Sequence, residues 1–485
     1  MMSIFFKYDL LRLLRSKVLV LLLSLIILFV GVAIYNGSQW INFQRRNIDK
    51  IITTRALQYD THIRDGKKYD QQHDTIAFDS PNNPLVIYWG LRGYAYKNPL
   101  PAGVFCIGQS DLFPYYSMLV GVDKQYLLIE EEVQNPLNQF VGKLDLSFFV
   151  VYLLPVFIIL LGFDLISSEK ELGILRLLQT QGVSLLIISA TKISLRFLLI
   201  EITTILSILF WSFVFESRLF SLENLPVMMA LLTMVSLYIL FWCVLAFLVS
   251  SFGRNSVVNG MILITCWILF LFVIPTSLNT LAQRYYPVPS RNEQVLLNRQ
   301  KENEIESQGS ALLEKYLKDH PEHQKKHADT SGCVSWMDWY FELLAKQVEL
   351  DKALMPGESS IRTATFNQQL FCDKLRFLSP SLLITNHFIQ VSETGVYDQL
   401  NYAVSLDLFN SKWRTFHRDK IFRRIKFTNE DFEQLPVFAI LNVYNGSESL
   451  FSNAVGLLLF MSSFILLAYG NFNFKEYHFY VWKKA

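Results

Sequence analysis

Six stretches of this chain are apolar for about as long as a bilayer is thick: residues 18–35, 148–163, 193–215, 227–249, 257–278 and 453–470. A helix of ~20 apolar residues crosses a hydrocarbon core of ~30 Å, and inside that core an unbroken helix satisfies its own backbone hydrogen bonds. The six runs therefore predict a polytopic, all-α membrane protein. Composition agrees, because 52% of the 485 residues are hydrophobic and only 18% charged, whereas soluble domains carry about 25% charge. Net charge is +2, so no strongly basic surface points to nucleic acid.

Residues 1–17 interleave Lys7, Arg12, Arg15 and Lys17 with Phe5, Phe6, Leu10 and Leu11, the pattern of an interfacial helix lying along the membrane on the cytoplasmic side. The run after it is longer than a signal-peptide core and no small-residue cleavage site follows, so it reads as a retained span. Residues 36–147 form a polar insertion. Its first part, Ile41 to Leu57, reads as a ragged helical continuation of the first span; TIAF, PLVIYW and GVFCIG, punctuated by Pro and Gly, read as strands and turns. Pro155 interrupts the second span, which a neighbour must compensate by satisfying the freed carbonyl. A second polar insertion, 279–452, reads as mainly helical. It has a capping box at Ser290–Glu293, a charged helix towards Lys318, an amphipathic helix marked by Trp336, Trp339, Leu343 and Leu350, and further helices over 382–392 and 398–422. Residues 471–485 are a basic tail. Lys and Arg collect at the amino terminus, in 164–192, at Arg254 and in the tail, which predicts that both termini are cytoplasmic and both insertions outside.

The loop 164–192 is too short for a domain. It carries Leu172, Leu175, Leu178 and Val183 near helical spacing, with Glu169, Lys170, Glu171 and Arg176 between them. Such a segment lies along the membrane surface with an apolar edge for the bundle or a partner and a charged edge for the cytoplasm. Ser168-Glu169-Lys170-Glu171-Leu172-Gly173-Ile174-Leu175, followed by Leu177-Leu178, resembles the E-x-E-x-G-T-L-x-x-L-L pattern of ABC-2-type permeases, with Ile174 where Thr is usual. Gly108-Gln109-Ser110-Asp111-Leu112-Phe113-Pro114, the run Gly142 to Phe149, Pro287 to Arg291 and Ser379-Pro380-Ser381-Leu382-Leu383 are similar to motifs of one branch of that family. Members of this branch are often known only as domains of unknown function.

The resemblance implies a six-helix ABC-2 (type V exporter-like) transmembrane domain, with a small mixed α/β and a larger mainly α-helical extracytoplasmic insertion. It implies a subunit of an ATP-driven exporter in a bacterial cytoplasmic membrane. The partners implied are a separate ABC ATPase, which holds ATP and Mg, and a second permease subunit, identical or paralogous, within membrane lipid. The segment Glu169–Ser184 would be the coupling helix, with Glu169, Glu171, Gly173, Leu175, Arg176 and Leu178 as its contact residues. The alternative is a membrane-anchored sensor or scaffold whose outer domains bind a protein, although a scaffold does not need six spans. An ion-coupled carrier would have Glu201 as its only deep carboxylate.

The chain has no G-x-x-x-x-G-K-[ST] loop, no H-E-x-x-H and no G-x-S-x-G, so it reads as a non-enzyme that hydrolyses no ATP itself. His320, His323 and His327 share a helical face and are the one candidate metal set, but neighbouring Glu and Lys residues make a solvated face the better reading and no metal is assigned. Arg196 and Glu201 lie in the third span, where charge costs about 2.5–3.5 kcal/mol at mid-membrane. Arg196 can snorkel, and Glu201 should face the bundle or a wet cavity, with Arg196 its candidate structural partner and a transport role the alternative. Cys333 and Cys372 are a candidate disulfide in an oxidising compartment.

Overall fold

The computed structural model describes residues 9–11, 15–71, 80–119, 144–175, 184–308, 311–321, 334–423, 425–444 and 449–484. Among these, six helices are long and apolar enough to cross a membrane. The first, α1 (Lys17–Asp70), does not stop where its apolar run ends: it is 54 residues long, roughly 80 Å at 1.5 Å per residue. Its far half is a rigid post for the first insertion. There α2 (Pro84–Gly90) replaces the strand expected at PLVIYW. Pro84 sits in the first turn and the Asn83 side chain accepts from Leu85 N at 2.9 Å, so a proline-started, capped helix wins over β-propensity. GVFCIG is not a strand either, because Pro101–Val104 is a 3₁₀ turn. TIAF lies outside the described residues. Among the described residues, strand pairing is limited to β1 (Gly93–Tyr96) and β2 (Tyr116–Leu119), antiparallel with Gly93 opposite Leu119.

The second span, α3, runs through Leu146–Phe148, a π-helical turn Phe149–Leu153 and Leu154–Gly162. Asp145 starts it by accepting from Phe148 N at 2.7 Å, and its other oxygen takes Ile107 N at 2.8 Å, tying the span to the first insertion. Pro155 cannot donate to the Val151 carbonyl. The Tyr238 hydroxyl does so instead, at 3.1 Å. A short helix α4 (Ser167–Glu171) follows, then α5 (Leu185–Phe215), α6 (Leu225–Ser251) and α7, which comprises Ser256–Ile268, a π turn Leu269–Val273 and Ile274–Tyr285. The last span, α14, is Ser449–Lys484.

Helices α3 and α6 are central: 67% of the apolar window of each is buried, against 17% in α7 and 22% in α14. The core of the bundle is aromatic. Phe241 of α6 meets Trp242, Phe270, Phe460 and Phe464 at centroid distances of 5.6–6.1 Å, joining α6 to α7 and α14.

Between α7 and α14 lie α8 (Arg291–Glu306), α9 (Ala311–Asp319), α10 (Val334–Leu375), α11 (Pro380–Ser392), α12 (Val396–Arg423) and α13 (Asn429–Glu433). The expected capping box at Ser290–Glu293 is present, but the charged helix breaks after Glu306. The two insertions share one core: Leu85, Ile87 and Tyr88 pack with Phe341, Tyr402, Trp413 and Phe427. Helix α11 belongs instead to the bundle core through Leu383, Ile384 and Phe388, so it is the keystone between spans and insertion.

Candidate functional site

The loop that the sequence singles out is a knuckle at the end of the bundle opposite the insertions. Helix α4 ends because Gly173 takes φ +76°, with its N–H returning to the Lys170 carbonyl at 3.1 Å. That is the left-handed glycine cap of a helix C-terminus. A Cβ at Gly173 would meet nothing within 4 Å, so the glycine is there for the bend rather than for close packing.

Each charged residue of α4 is tied to the bundle, Glu169 from a largely buried position and Lys170 and Glu171 from the surface. Glu169 forms an ion pair with Lys192 of α5, both side chains largely buried, and Lys192 also donates to the Leu165 carbonyl at 3.0 Å. Glu171 accepts from Ser256 N at 2.8 Å, at the amino end of α7, and Lys170 donates to the Gly253 carbonyl at 2.7 Å. Ser256 Oγ bonds Ser167 Oγ at 2.9 Å. A carboxylate beside the first amides of α7 also suits the positive end of that helix. Together these contacts clamp the knuckle to α5, to the α6–α7 loop and to the start of α7.

Two aliphatic side chains are exposed beside them. Leu172 is 65% and Ile174 44% exposed, while Leu175 packs back on the bundle core. Of the apolar edge expected to meet the bundle or a partner, Leu175 thus faces the bundle while Leu172 and Ile174 face outwards, and the charged edge lies at the surface tied to the span ends. Carboxylates so close to the span ends find lysine and free backbone amides there, and the glycine bend swings the two aliphatic side chains out. Arg176 and Leu178 lie outside the described residues. Lys192, Ser256 and the Gly253 carbonyl, which complete the clamp, were not singled out from the sequence; the only signal was a lysine at the edge of an apolar run.

Within the spans, Glu201 accepts a hydrogen bond from Ser236 of α6, not from Arg196, while Arg196 reaches towards Asp164 at 3.5 Å. One turn separates Arg196 from Lys192 on α5, so both serve the knuckle side, and Glu201 is left to a hydroxyl on the neighbouring span. His320 packs on the Tyr316 ring at 4.6 Å; His323 and His327 lie outside the described residues. Cys372 is in α10, and Cys333, its candidate partner, is also outside them.

At the other end a polar joint ties the insertion to α14. Arg376 donates to Asn453 Oδ1 at 2.7 Å and to Ser452 Oγ at 2.6 Å. Asp373 receives Tyr397 OH at 2.6 Å, Gln369 at 3.0 Å and Asn386 at 3.1 Å. Burial still holds its carboxyl above the ordinary aspartate range. Beside it, Ser379 and Ser381 both donate at 2.6 Å to the Phe270 carbonyl in the π turn of α7.

Residues 291–440 match a family model described as a domain of unknown function, DUF3526. The match runs from α8 through α13, less than a third of the chain, and includes neither the knuckle nor any complete span. No curated protein and no solved structure matches the chain.

Proposed function

We propose that the chain is the membrane-spanning permease subunit of an ATP-driven exporter of the ABC-2 type, worked by a separate ATPase that docks on the knuckle. The observation that carries this is the outward pair Leu172 and Ile174 on a turn clamped to two spans. Two exposed aliphatic side chains on a rigid bend suit insertion into a partner's apolar cleft, and the clamp gives any push on them a path into α5 and α7. Glu169 and Glu171 then hold the knuckle in shape rather than meet the ATPase. ATP and Mg belong to the partner, and a second permease subunit, identical or paralogous, completes the complex. In this reading the knuckle and both termini face the cytoplasm of a bacterial cell.

The test is an affinity pull-down of the tagged chain from its native membrane in mild detergent, as wild type and as Leu172→Glu/Ile174→Glu. The expected result is a co-purifying ATPase with a Walker A loop, lost in the variant, while thermal stability is unchanged because neither side chain is buried. An ATPase retained by the variant places docking elsewhere. No ATPase with the wild type, under conditions that keep other membrane complexes intact, removes the reading.

A further inference from the structure

At the insertion end, where α1 leaves the apolar zone, a cleft of about 680 Å³ opens between α1, the 98–101 loop and the turn after α5. Its walls carry Arg45, Arg46 and Arg218, with the amides of Gln39, Asn42 and Asn98 between them. Opposing them are Asp49 in the lining and the buried Glu216 behind it. Glu216 is already engaged by Arg45 at 2.5 Å, so that pair fixes one wall. Arg218 stands 3.9 Å from the same carboxylate and is 69% exposed. Arg46 folds back so that its Nε donates to the Asn42 carbonyl, which leaves its terminal nitrogens without a partner among the described residues. Two guanidinium groups therefore present open donor faces to one polar cleft.

The geometry points to a binding site for the phosphate of a membrane lipid from the insertion-side leaflet. Guanidinium forks match tetrahedral phosphate through paired N–H donors. Depth favours a lipid as the source. Ser38 Oγ bonds the Phe215 carbonyl at 3.2 Å, so the end of α5 is level with this part of α1. Just below, Tyr35, Phe213 and Phe220 are 46%, 64% and 40% exposed, an aromatic band of the kind that marks the edge of the hydrocarbon. Gln39 follows Tyr35 by four residues, roughly 6 Å along the helix, within a headgroup zone about 5–8 Å thick. Side chains on a helix lean towards its amino end, which for α1 is towards the bilayer: Arg45 reaches down to Glu216, the residue after Phe215, and Arg46 folds down to the Asn42 carbonyl. A lipid seated here would lay its acyl chains along the exposed aromatic band and its phosphate under the three arginines. This inference needs the six helices to be embedded in a membrane and does not depend on an ATPase.

The test titrates the full chain in detergent with phosphatidylglycerol, with a diacylglycerol of the same chains, and with glycerol 3-phosphate, reading bound ligand by native mass spectrometry. The variant is Arg46→Gln/Arg218→Gln, which leaves the Arg45–Glu216 pair intact. The expected result is phosphatidylglycerol bound about tenfold more tightly than the diacylglycerol, and about tenfold more weakly in the variant, the loss anticipated for charge-assisted hydrogen bonds. Arg46→Lys/Arg218→Lys should fall between, because it keeps charge without the fork. Equal phosphatidylglycerol binding by wild type and the Gln variant would overturn the site. Arginine-dependent binding of glycerol 3-phosphate as tight as that of the lipid would overturn the lipid assignment and make the ligand a soluble phosphate ester.

Discussion

His417 is fully buried in α12, boxed by Tyr88, Trp413 and Phe427 at ring distances of 5.1, 4.9 and 5.9 Å, and neither ring nitrogen has a hydrogen-bond partner among the described residues. Burial, and then the nearby Lys420 ammonium, which pairs with Asp431, pull its pKa down to about 3. An imidazole whose folded pKa lies below its unfolded value of 6.5 contributes fully above pH 6.5. That contribution is lost as pH falls, by on the order of 1 kcal/mol per unit. Thermal unfolding of the wild type should therefore weaken between pH 6.5 and 5, and His417→Phe should flatten that slope; an unchanged slope would remove His417 as the cause. The Glu169–Lys192 pair gives a second residue-scale expectation. Glu169→Gln or Lys192→Met alone strands a buried charge and should cost about 3–5 kcal/mol, while the double variant recovers most of it; a double-mutant cycle of melting curves in detergent measures this. That glutamates and a glycine sit in this short turn could be read from the sequence. Which way they point could not, because their partners are a lysine 23 residues on and a backbone amide 85 residues on.

Elements were legible where one physical rule dominated. Six long apolar runs form helices long and apolar enough to cross a membrane, and Ser290 with Glu293 caps the helix that follows. PLVIYW was not legible in the same way, since a proline start and an asparagine cap outweighed its β-branched and aromatic residues. The two π turns were hidden too, although each precedes a proline, Pro155 in α3 and Pro275 in α7. Each leaves carbonyls that a neighbour must take. Tyr238→Phe should strand the Val151 carbonyl in the bundle and cost about 1–3 kcal/mol. Placing Pro155→Ala in the same chain restores a backbone donor and should recover much of that loss. If Tyr238→Phe melts like the wild type, the hydroxyl is not what compensates the proline.

For the whole molecule, α7 joins the two ends. Its first residues are held by Glu171 of the knuckle, and some 14 residues on, roughly 21 Å away, its π turn is held by Ser379 and Ser381 of α11. From α11 the path continues through Arg376 to Ser452 and Asn453 at the head of α14. The motif Ser379-Pro380-Ser381 was visible in the sequence, but its role was not, since the carbonyl it reads is 109 residues earlier. A strut fixed at both ends transmits displacement only while both fixings hold. Ser379→Ala/Ser381→Ala should release the upper one by leaving a buried carbonyl unsatisfied, a loss of about 1–3 kcal/mol. Amide hydrogen exchange on the full chain should then quicken roughly tenfold or more over 269–273 and along α11, with 164–175 unchanged. Faster exchange at both ends would mean that the variant loosens the bundle as a whole. No change at either end would mean that the aromatic packing of Phe270 against Phe241 of α6, at 6.0 Å, and not the serine bonds, fixes the π turn of α7.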